Sequence, residues 1–581
     1  MIINTPKFHK YFSITILRKR LSAIFIAITF LLFVVIFRLF YIQIIWGEFL
    51  QKKAIDQWTR EIPIIAERGK IVDANGVVLA TNDNTYTVFA RKKAIKDFDL
   101  VAKTVSSVLE LDYNFVYDRL TKTHSSEITL KKQVSKEKIN GLLEYDFDGL
   151  YYSRDNSRIY PYNNLLSTVI GFTSSDGKGQ SGLELYYDKY LSGIKGEILY
   201  ETDIVGVETP DANASYIPAT DGLSIKLTID YEIQQLCEFA MEEAMSVHNA
   251  KSAQMIVIEP STGAIRAIAV KPSINLNEIP RDDLTQLYSL SRTGLICDVY
   301  EPGSTFKIIT TAANIEEYLN KNPKAYSLEH VFNSSRYRYI DGQKVKCWNN
   351  HNNGKHSALN IQGALNNSCN PIFVDMAMSL GKETLYKYIE KFNFGNITGI
   401  DFFGESQGMV LPLSSVLNVD LARIAFGQTI AVTGLQLAMA CSAAINGGNY
   451  YTPYLVSEIY DSNSYLVQRN YPNLKNKVIS DEASGILRLL LENVVEEGSG
   501  KQAYIEGYRV GGKTGTAQKY ENGVIAQGKY VSSFVGFFPA NDPKYLALVV
   551  VDEPEGSYYG STVAAPFAKQ VFEGIIKLKG L

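Results

Sequence analysis

Three short strings carry residues able to do covalent chemistry: Ser304-Thr305-Phe306-Lys307, Ser368-Cys369-Asn370 and Lys513-Thr514-Gly515-Thr516, in that order along the chain. A serine hydroxyl is a poor nucleophile until a neighbouring base takes its proton. A lysine can be that base only where burial and nearby cations push its pKa towards neutrality. Pro302-Gly303 stops the preceding segment and starts a helix carrying Ile308, Ile309, Ala312 and Ala313, which places Ser304 in a first turn. There the unpaired amides and the helix dipole favour developing negative charge. Lys307, three residues on, falls on the same face within reach of the hydroxyl, and Lys513, if it approaches, is a cation of the kind that lowers it. Gly515 lets a substrate backbone lie against its strand, Thr514 and Thr516 offer hydroxyls to a carboxylate, and Asn370 can pair with a peptide amide. Each string alone has a plainer reading: a helix cap at Ser304, a loop amide at Asn370, a strand and turn at Lys513-Thr514-Gly515. Ser-x-x-Lys arises by chance on the order of two or three times in a chain this long.

The elements that must hold these strings are legible around them. Asp230 caps a helix with Ile233, Leu236, Cys237, Ala240, Met241 and Ala244 on one face. A hairpin follows, Gln254 to Ile258 and Ala264 to Val270 about a Pro-Ser-Thr-Gly turn. The middle is helical in pattern. Strands return at Gly507 to Gln518, Ser532 to Phe538 and Tyr545 to Asp552, before an amphipathic helix from Ala564 to Lys579. Strands from both ends then pair in one antiparallel sheet with the helices beside it, an α+β architecture. Upstream, residues 43–220 mix short alternating segments with polar turns, among them the hairpin signal Asn75-Gly76. The stretch Thr209 to Gly222, rich in Pro, Asp, Ala and Asn, reads as a domain boundary.

From Leu21 to Phe37 the only polar residues are Ser22 and Thr29, and apolar character resumes after Arg38 through Trp46. With Arg38 snorkelling, that run is long enough for a bilayer core, which needs about 20 residues. Lys7, Lys10, Arg18, Lys19 and Arg20 precede it, and the first acidic residue is Glu48, so residues 1–20 read as cytoplasmic, 21–45 as a signal anchor and the rest as exported. A cleaved signal peptide is the competing reading, against which stand the length of the run and the lack of a small-x-small site. A net charge of -3 over 581 residues offers neither a basic stripe for nucleic acid nor an acidic tail. Thirty-seven tyrosines is a high count, consistent with a protein that meets sugars and equally with plain sheet and core positions.

Together, in this order, the three strings match the signature of penicillin-binding proteins and class A β-lactamases. Tyr300-Glu301-Pro302-Gly303-Ser304-Thr305-Phe306-Lys307 and Lys513-Thr514-Gly515-Thr516-Ala517 closely resemble the class B, high-molecular-weight penicillin-binding proteins. Further strings resemble the same family: Arg68-Gly69-Lys70-Ile71 with Asp73, Asn75, Gly76, Leu79 and Ala80; Arg158-Ile159-Tyr160-Pro161; Gly182-Leu183-Glu184; Phe426-Gly427-Gln428; and Asn446-Gly447-Gly448. The resemblance implies a membrane-anchored D,D-transpeptidase: a mainly-β pedestal or dimerisation domain over residues 46–220 and a penicillin-binding transpeptidase domain over 221–581. By the same resemblance Ser304 is the nucleophile, Lys307 its base, and Ser368 and Lys513 the proton relay. Asn370, Thr514, Gly515 and Thr516 bind substrate, and the backbone amides of Ser304 and Thr516 form the oxyanion hole. The implied partners are donor and acceptor stem peptides, β-lactams, the membrane and a multispanning glycan polymerase of the shape, elongation, division and sporulation family. No cofactor or metal is implied, and His351 and His356 read as solvated loop residues.

Cys369 stands where serine or aspartate is usual in the second motif, which leans towards a sporulation-type enzyme. With Cys347 upstream, an exported chain invites a Cys347–Cys369 bridge that would distort the site; the alternative is two buried, reduced fillers. Other functions compete. Gly507 to Thr514 satisfies Walker A spacing but lacks a helix after it. A β-lactamase needs a deacylating glutamate for which no counterpart is evident, and a β-lactam sensor usually has several spans. A catalytically dispensable activator of the polymerase is the hardest of these to separate by sequence.

Overall fold

The computed structural model describes residues 14–50, 53, 59–123, 125, 127–201, 215–333, 335–348, 358–521 and 524–581. His351, His356 and residues 209–214 lie outside the described residues. The chain divides into two compact units, residues 1–65 with 195–219, and 66–194 with 220–581.

In the first unit, helix Ile14–Phe40 continues through a π-helical turn, Tyr41–Ile45, as one apolar helix of 32 residues. That is long and apolar enough to cross a membrane. Arg38 lies over the rings of Tyr41 and Trp46 at 5.5 and 5.9 Å, so its charge has a partner while its stem stays in apolar surroundings. Strands Thr59–Ile64, Gly196–Glu201 and Ser215–Ile217 form a small antiparallel sheet. Within the stretch expected to be loose, Ser215–Ile217 is strand and residues 218–219 and 221–222 are irregular.

In the second unit, Asp73 Oδ1 accepts the N–H groups of Asn75 and Val77 at 2.8 and 2.7 Å, and Gly76 takes φ 92°. This is the expected Asn75-Gly76 turn between strands Ile71–Val72 and Val78–Arg91. Helices Phe98–Leu109, Tyr113–Lys122 and Lys136–Leu143 share an apolar core with the longer strand. Arg68 Nε and Arg158 Nε each donate to the fully buried carboxylate of Glu184, at 2.6 and 2.7 Å. Gly69 beside Arg68 is obligatory, since a Cβ there would stand 1.9 Å from Leu223 O. These contacts account for the Arg68-Gly69, Arg158 and Glu184 strings. Glu184→Ala leaves the buried Arg158 without its carboxylate and Arg68 with Asp188 alone, at 2.7 Å, so it is expected to cost about 3–5 kcal/mol of unfolding free energy. Urea unfolding in detergent reads it; a loss below about 1 kcal/mol, the scale of an exposed pair, would contradict the assignment.

The sheet that carries the site is built from β1 (Ser252–Glu259), β2 (Ala264–Lys271), β3 (Gly511–Glu521), β4 (Val524–Phe538) and β5 (Tyr545–Asp552). The spatial order is β2-β1-β5-β4-β3, antiparallel throughout. Strands from both ends of this region therefore pair as expected, though β3 starts at Gly511 rather than Gly507. Met255 and Val257 point to one face, where helices Tyr231–His248 and Ala565–Lys579 pack. Ile256 and Ile258 point to the other, against helices Lys307–Leu319 and Gly434–Ile445. With both faces covered, β1, β2 and β5 are largely apolar.

Candidate active site

Residues Gly303–Phe306 form a 3-10 turn that runs directly into helix Lys307–Leu319. Ser304 therefore precedes the α-helix instead of opening it, and the cause is tertiary. Gly303 takes φ 56° and its N–H donates to Gly427 O at 2.9 Å; a Cβ on Gly427 would stand 2.1 Å from Gly303 O. Thr305 Oγ1 closes the turn on Pro302 O at 2.8 Å, and Glu301 accepts the Thr429 N–H at 2.8 Å. Ser304 is half-buried, with no hydrogen-bond partner for its hydroxyl among the described residues.

The three strings meet at one atom. Lys307 is fully buried, and its Nζ donates to Ser368 O at 2.9 Å, Ser368 Oγ at 3.0 Å and Asn370 Oδ1 at 2.7 Å. Lys513, equally buried, donates to the same Ser368 Oγ at 3.0 Å and to Thr514 O at 3.1 Å. Ser368 takes φ 51°, a left-handed conformation costing a non-glycine residue about 1–3 kcal/mol and held only where its surroundings over-determine it. Helix Asn370–Leu380 starts two residues later, with Asn370 as its first residue.

Burial pushes Lys307 down to about 8, partly opposed by the thiols of Cys347 and Cys369. Burial, and then the charge of Lys307, hold Lys513 well below its ordinary value. Burial is the larger cause for both lysines, and the repulsion between them, which acts on each, works in the same direction. Two ammonium groups on one hydroxyl repel, so the pair favours holding one proton fewer than two separate lysines would. Three hydrogen bonds occupy all the hydrogens of a Lys307 ammonium, whereas the neutral amine keeps two and frees a lone pair.

Strand β3 forms the opposite wall. Thr514 Oγ1 lies 3.3 Å from Ser499 Oγ, and Thr516 Oγ1 accepts the Gly560 N–H at 3.1 Å. A Cβ on Gly515 would meet Ser533 Oγ at 2.4 Å, Thr305 Cγ2 at 2.9 Å and Pro302 O at 3.1 Å, so only glycine lets β3 lie against the Ser304 turn. Gly515→Ala is expected to push strand and turn apart and slow penicillin acylation by about 10²-fold; acylation within about threefold of wild type would contradict that packing role.

Ser499 was not singled out by sequence, although Gly498 and Gly500 on either side mark a tight loop. Nor were the Asn370 Nδ2 to Lys346 O hydrogen bond, at 3.3 Å, and the Gly560 contact. After Lys513 the chain remains strand to Glu521, where a phosphate-binding loop needs a helix. Cys347 and Cys369 are both fully buried thiols with no disulfide between them, so no bridge distorts the second string. A hydrogen bond with Cys347, together with burial, raises the Cys369 thiol far above its usual range. A cavity of about 1780 Å³ opens elsewhere, along Lys251, Tyr288, Glu301 and Lys519, and includes none of the predicted site residues.

A family model described as the penicillin binding protein transpeptidase domain matches residues 253–573, and one described as the penicillin-binding protein dimerisation domain matches 63–227. The chain is 39% identical over 559 residues to Stage V sporulation protein D of Bacillus subtilis, covering 95% of this chain and 85% of that protein. It is 31% identical over 574 residues to the peptidoglycan D,D-transpeptidase FtsI homolog of Mesostigma viride, covering 93% of each. Its fold matches the crystal structure of Penicillin Binding Protein 2X from Streptococcus thermophilus with a TM-score of 0.74 at 22% identity, over 90% of this chain and 81% of that one. With two domain models matched in this order and relatives aligned along nearly its whole length, the chain belongs to the class B penicillin-binding proteins and is a serine-type transpeptidase.

Proposed function

We propose that this protein cross-links peptidoglycan stem peptides through an acyl-enzyme on Ser304. The observation that carries the reading is the convergence of two buried lysines on Ser368 Oγ, one helical turn from a serine hydroxyl that has no partner among the described residues. Neutral Lys307 takes the proton of Ser304 as Oγ attacks the carbonyl between the two terminal D-alanines of the donor. The oxyanion is met by the backbone N–H groups of Ser304 and Thr516, aimed where charge develops. Ser368 and Lys513 pass a proton to the departing D-alanine amine. Asn370 holds the donor amide, and Thr514 and Thr516 hold its carboxylate. The amine of a neighbouring stem then attacks the ester, restoring the Ser304 hydroxyl and completing the cross-link. A β-lactam enters by the same attack, and its opened ring stays attached.

The basic residues ahead of the apolar run Leu21–Phe37 support a cytoplasmic N-terminus, a span over residues 21–45 and an exported remainder, pedestal to residue 220 and catalytic domain from 221. A multispanning glycan polymerase supplies the strands and meets the anchor and pedestal. Cys369 and the 39%-identical sporulation relative both support a role in sporulation. Fluorescent penicillin is expected to label the purified chain. Ser368→Ala should slow that labelling by about 10²–10⁴-fold, because it removes the hydroxyl that both lysines share and that relays the proton from Lys513. Unchanged labelling would remove Ser368 from the relay.

A further inference from the structure

The cavity of about 1780 Å³ reaches the turn that carries Ser304 from behind, at Tyr300 and Glu301. Sites for drug-sized molecules occupy about 300–1,000 Å³, so it has ample room for one. Leu295, Phe394, Val410, Ile430, Val531 and Val550 give it an apolar lining. Four polar atoms interrupt that lining: Gln254 Oε1, Tyr300 OH, Glu301 Oε2 and Asp552 Oδ1, each buried and without a hydrogen-bond partner among the described residues. Buried polar atoms are normally paired. Eleven buried side-chain atoms are left unpaired among the described residues, so four around one cavity is a concentration. Two of the four are carboxylate oxygens, which can only accept; the group that satisfies them must donate.

The charges around the cavity decide the sign of its occupant. The cations that line it are already engaged: Lys251 with Glu553 at 3.3 Å, Lys271 with Glu238 and Glu242 at 3.1 and 3.0 Å, Arg292 with Asp298, Lys387 with Glu317 at 3.1 Å, and Lys519 with Asp552 and Glu553, both at 2.6 Å. Glu301, Glu383 and Glu390 also line it and are in no ion pair among the described residues. Glu383 and Glu390 are exposed, so water screens them; Glu301 is half-buried. Burial pushes its carboxyl above the ordinary value, against the Thr429 N–H and the charge of Arg423, as befits an ion with no counter-charge in contact. We propose that the cavity is a binding site for an organic cation, an apolar body bearing a primary ammonium group that donates to Glu301 Oε2. The site goes beyond acyl transfer and does not rest on it. It adjoins that machinery, because Glu301 Oε1 holds the N–H of Thr429 at 2.8 Å, in the loop that grips Gly303.

The test uses the full chain in detergent and three probes of one shape: 4-phenylbutylamine, the neutral 4-phenylbutanol and the anionic 4-phenylbutyrate. Binding is read by isothermal titration at neutral pH, where the amine is protonated, with a micelle-only blank for each probe. Wild type is expected to bind the amine at least about tenfold more tightly than the alcohol or the acid, since a charge-assisted hydrogen bond is the stronger kind. Glu301→Gln keeps an acceptor for the Thr429 N–H and removes the charge. It should weaken amine binding about tenfold and leave alcohol binding within about twofold of wild type. Equal binding of the three probes by wild type, or no binding of the amine, would overturn the proposal, and these measurements need no variant to fold. A Glu301→Gln protein that melts cooperatively and binds the amine as wild type does would overturn it as well.

Discussion

Replacing Ser304 by alanine is expected to abolish covalent labelling by fluorescent penicillin and to lower transpeptidation by at least about 10⁴-fold, since the proposed step passes through a bond to its oxygen. Stability should hardly move. The hydroxyl is half-buried with no hydrogen-bond partner among the described residues, so its loss should change the unfolding free energy by no more than about 0.5 kcal/mol. A scaffold whose catalysis is dispensable would still support growth with Ser304→Ala, whereas an enzyme needed for its chemistry would not. Complementation and labelling, measured on the same variant, separate the two. Labelling that survives the substitution would place the nucleophile elsewhere.

The second large effect belongs to Lys307. Lys307→Met removes the base proposed for Ser304 and should slow acylation by about 10²–10⁴-fold. It also strands Asn370 Oδ1 and Ser368 O, at roughly 1–3 kcal/mol for each buried acceptor left unpaired. In the wild type, only neutral Lys307 has a lone pair for the proton of Ser304. Burial sets its pKa at about 8, so acylation should rise about tenfold per pH unit below that value and level off above it. Linkage gives the matching sign for stability. The folded pKa lies below the unfolded value of 10.5, so the unfolded chain binds more protons between those values. Stability from this group should therefore grow with pH across that window and be smallest below it. Stopped-flow acylation across about pH 6–10 checks the first claim; a flat profile would deny Lys307 the base role.

What could be read from sequence is what local chemistry decides. Strands 252–259, 264–271 and 545–552 are near-continuous apolar runs ended by turn residues, and Asp230 and the Asn75-Gly76 pair mark a helix start and a turn with their own side chains. The helices Phe98–Leu109, Tyr113–Lys122 and Lys136–Leu143 carry capping residues Asp97, Asp112 and Ser135, a signal obscured there by the strand-like alternation around it. What could not be read depends on groups far along the chain. Ser304 is in a 3-10 turn because Gly427 and Thr429 grip Gly303 and Glu301. Motif spacing brings three strings together but says nothing of which atom they share, and Ser368 Oγ is that atom only because Ser368 adopts a left-handed backbone. That both lysines are lowered follows first from their burial, which no spacing reveals. Ser499 lies in no motif, so only the folded chain places it beside the site.

The most direct measurement is peptide mass mapping of the chain after reaction with penicillin. The added mass should equal one intact penicillin and fall on the peptide holding Ser304, with the Ser368 and Lys513 peptides unmodified. An adduct on either of those peptides, or binding with no covalent mass, would contradict the account.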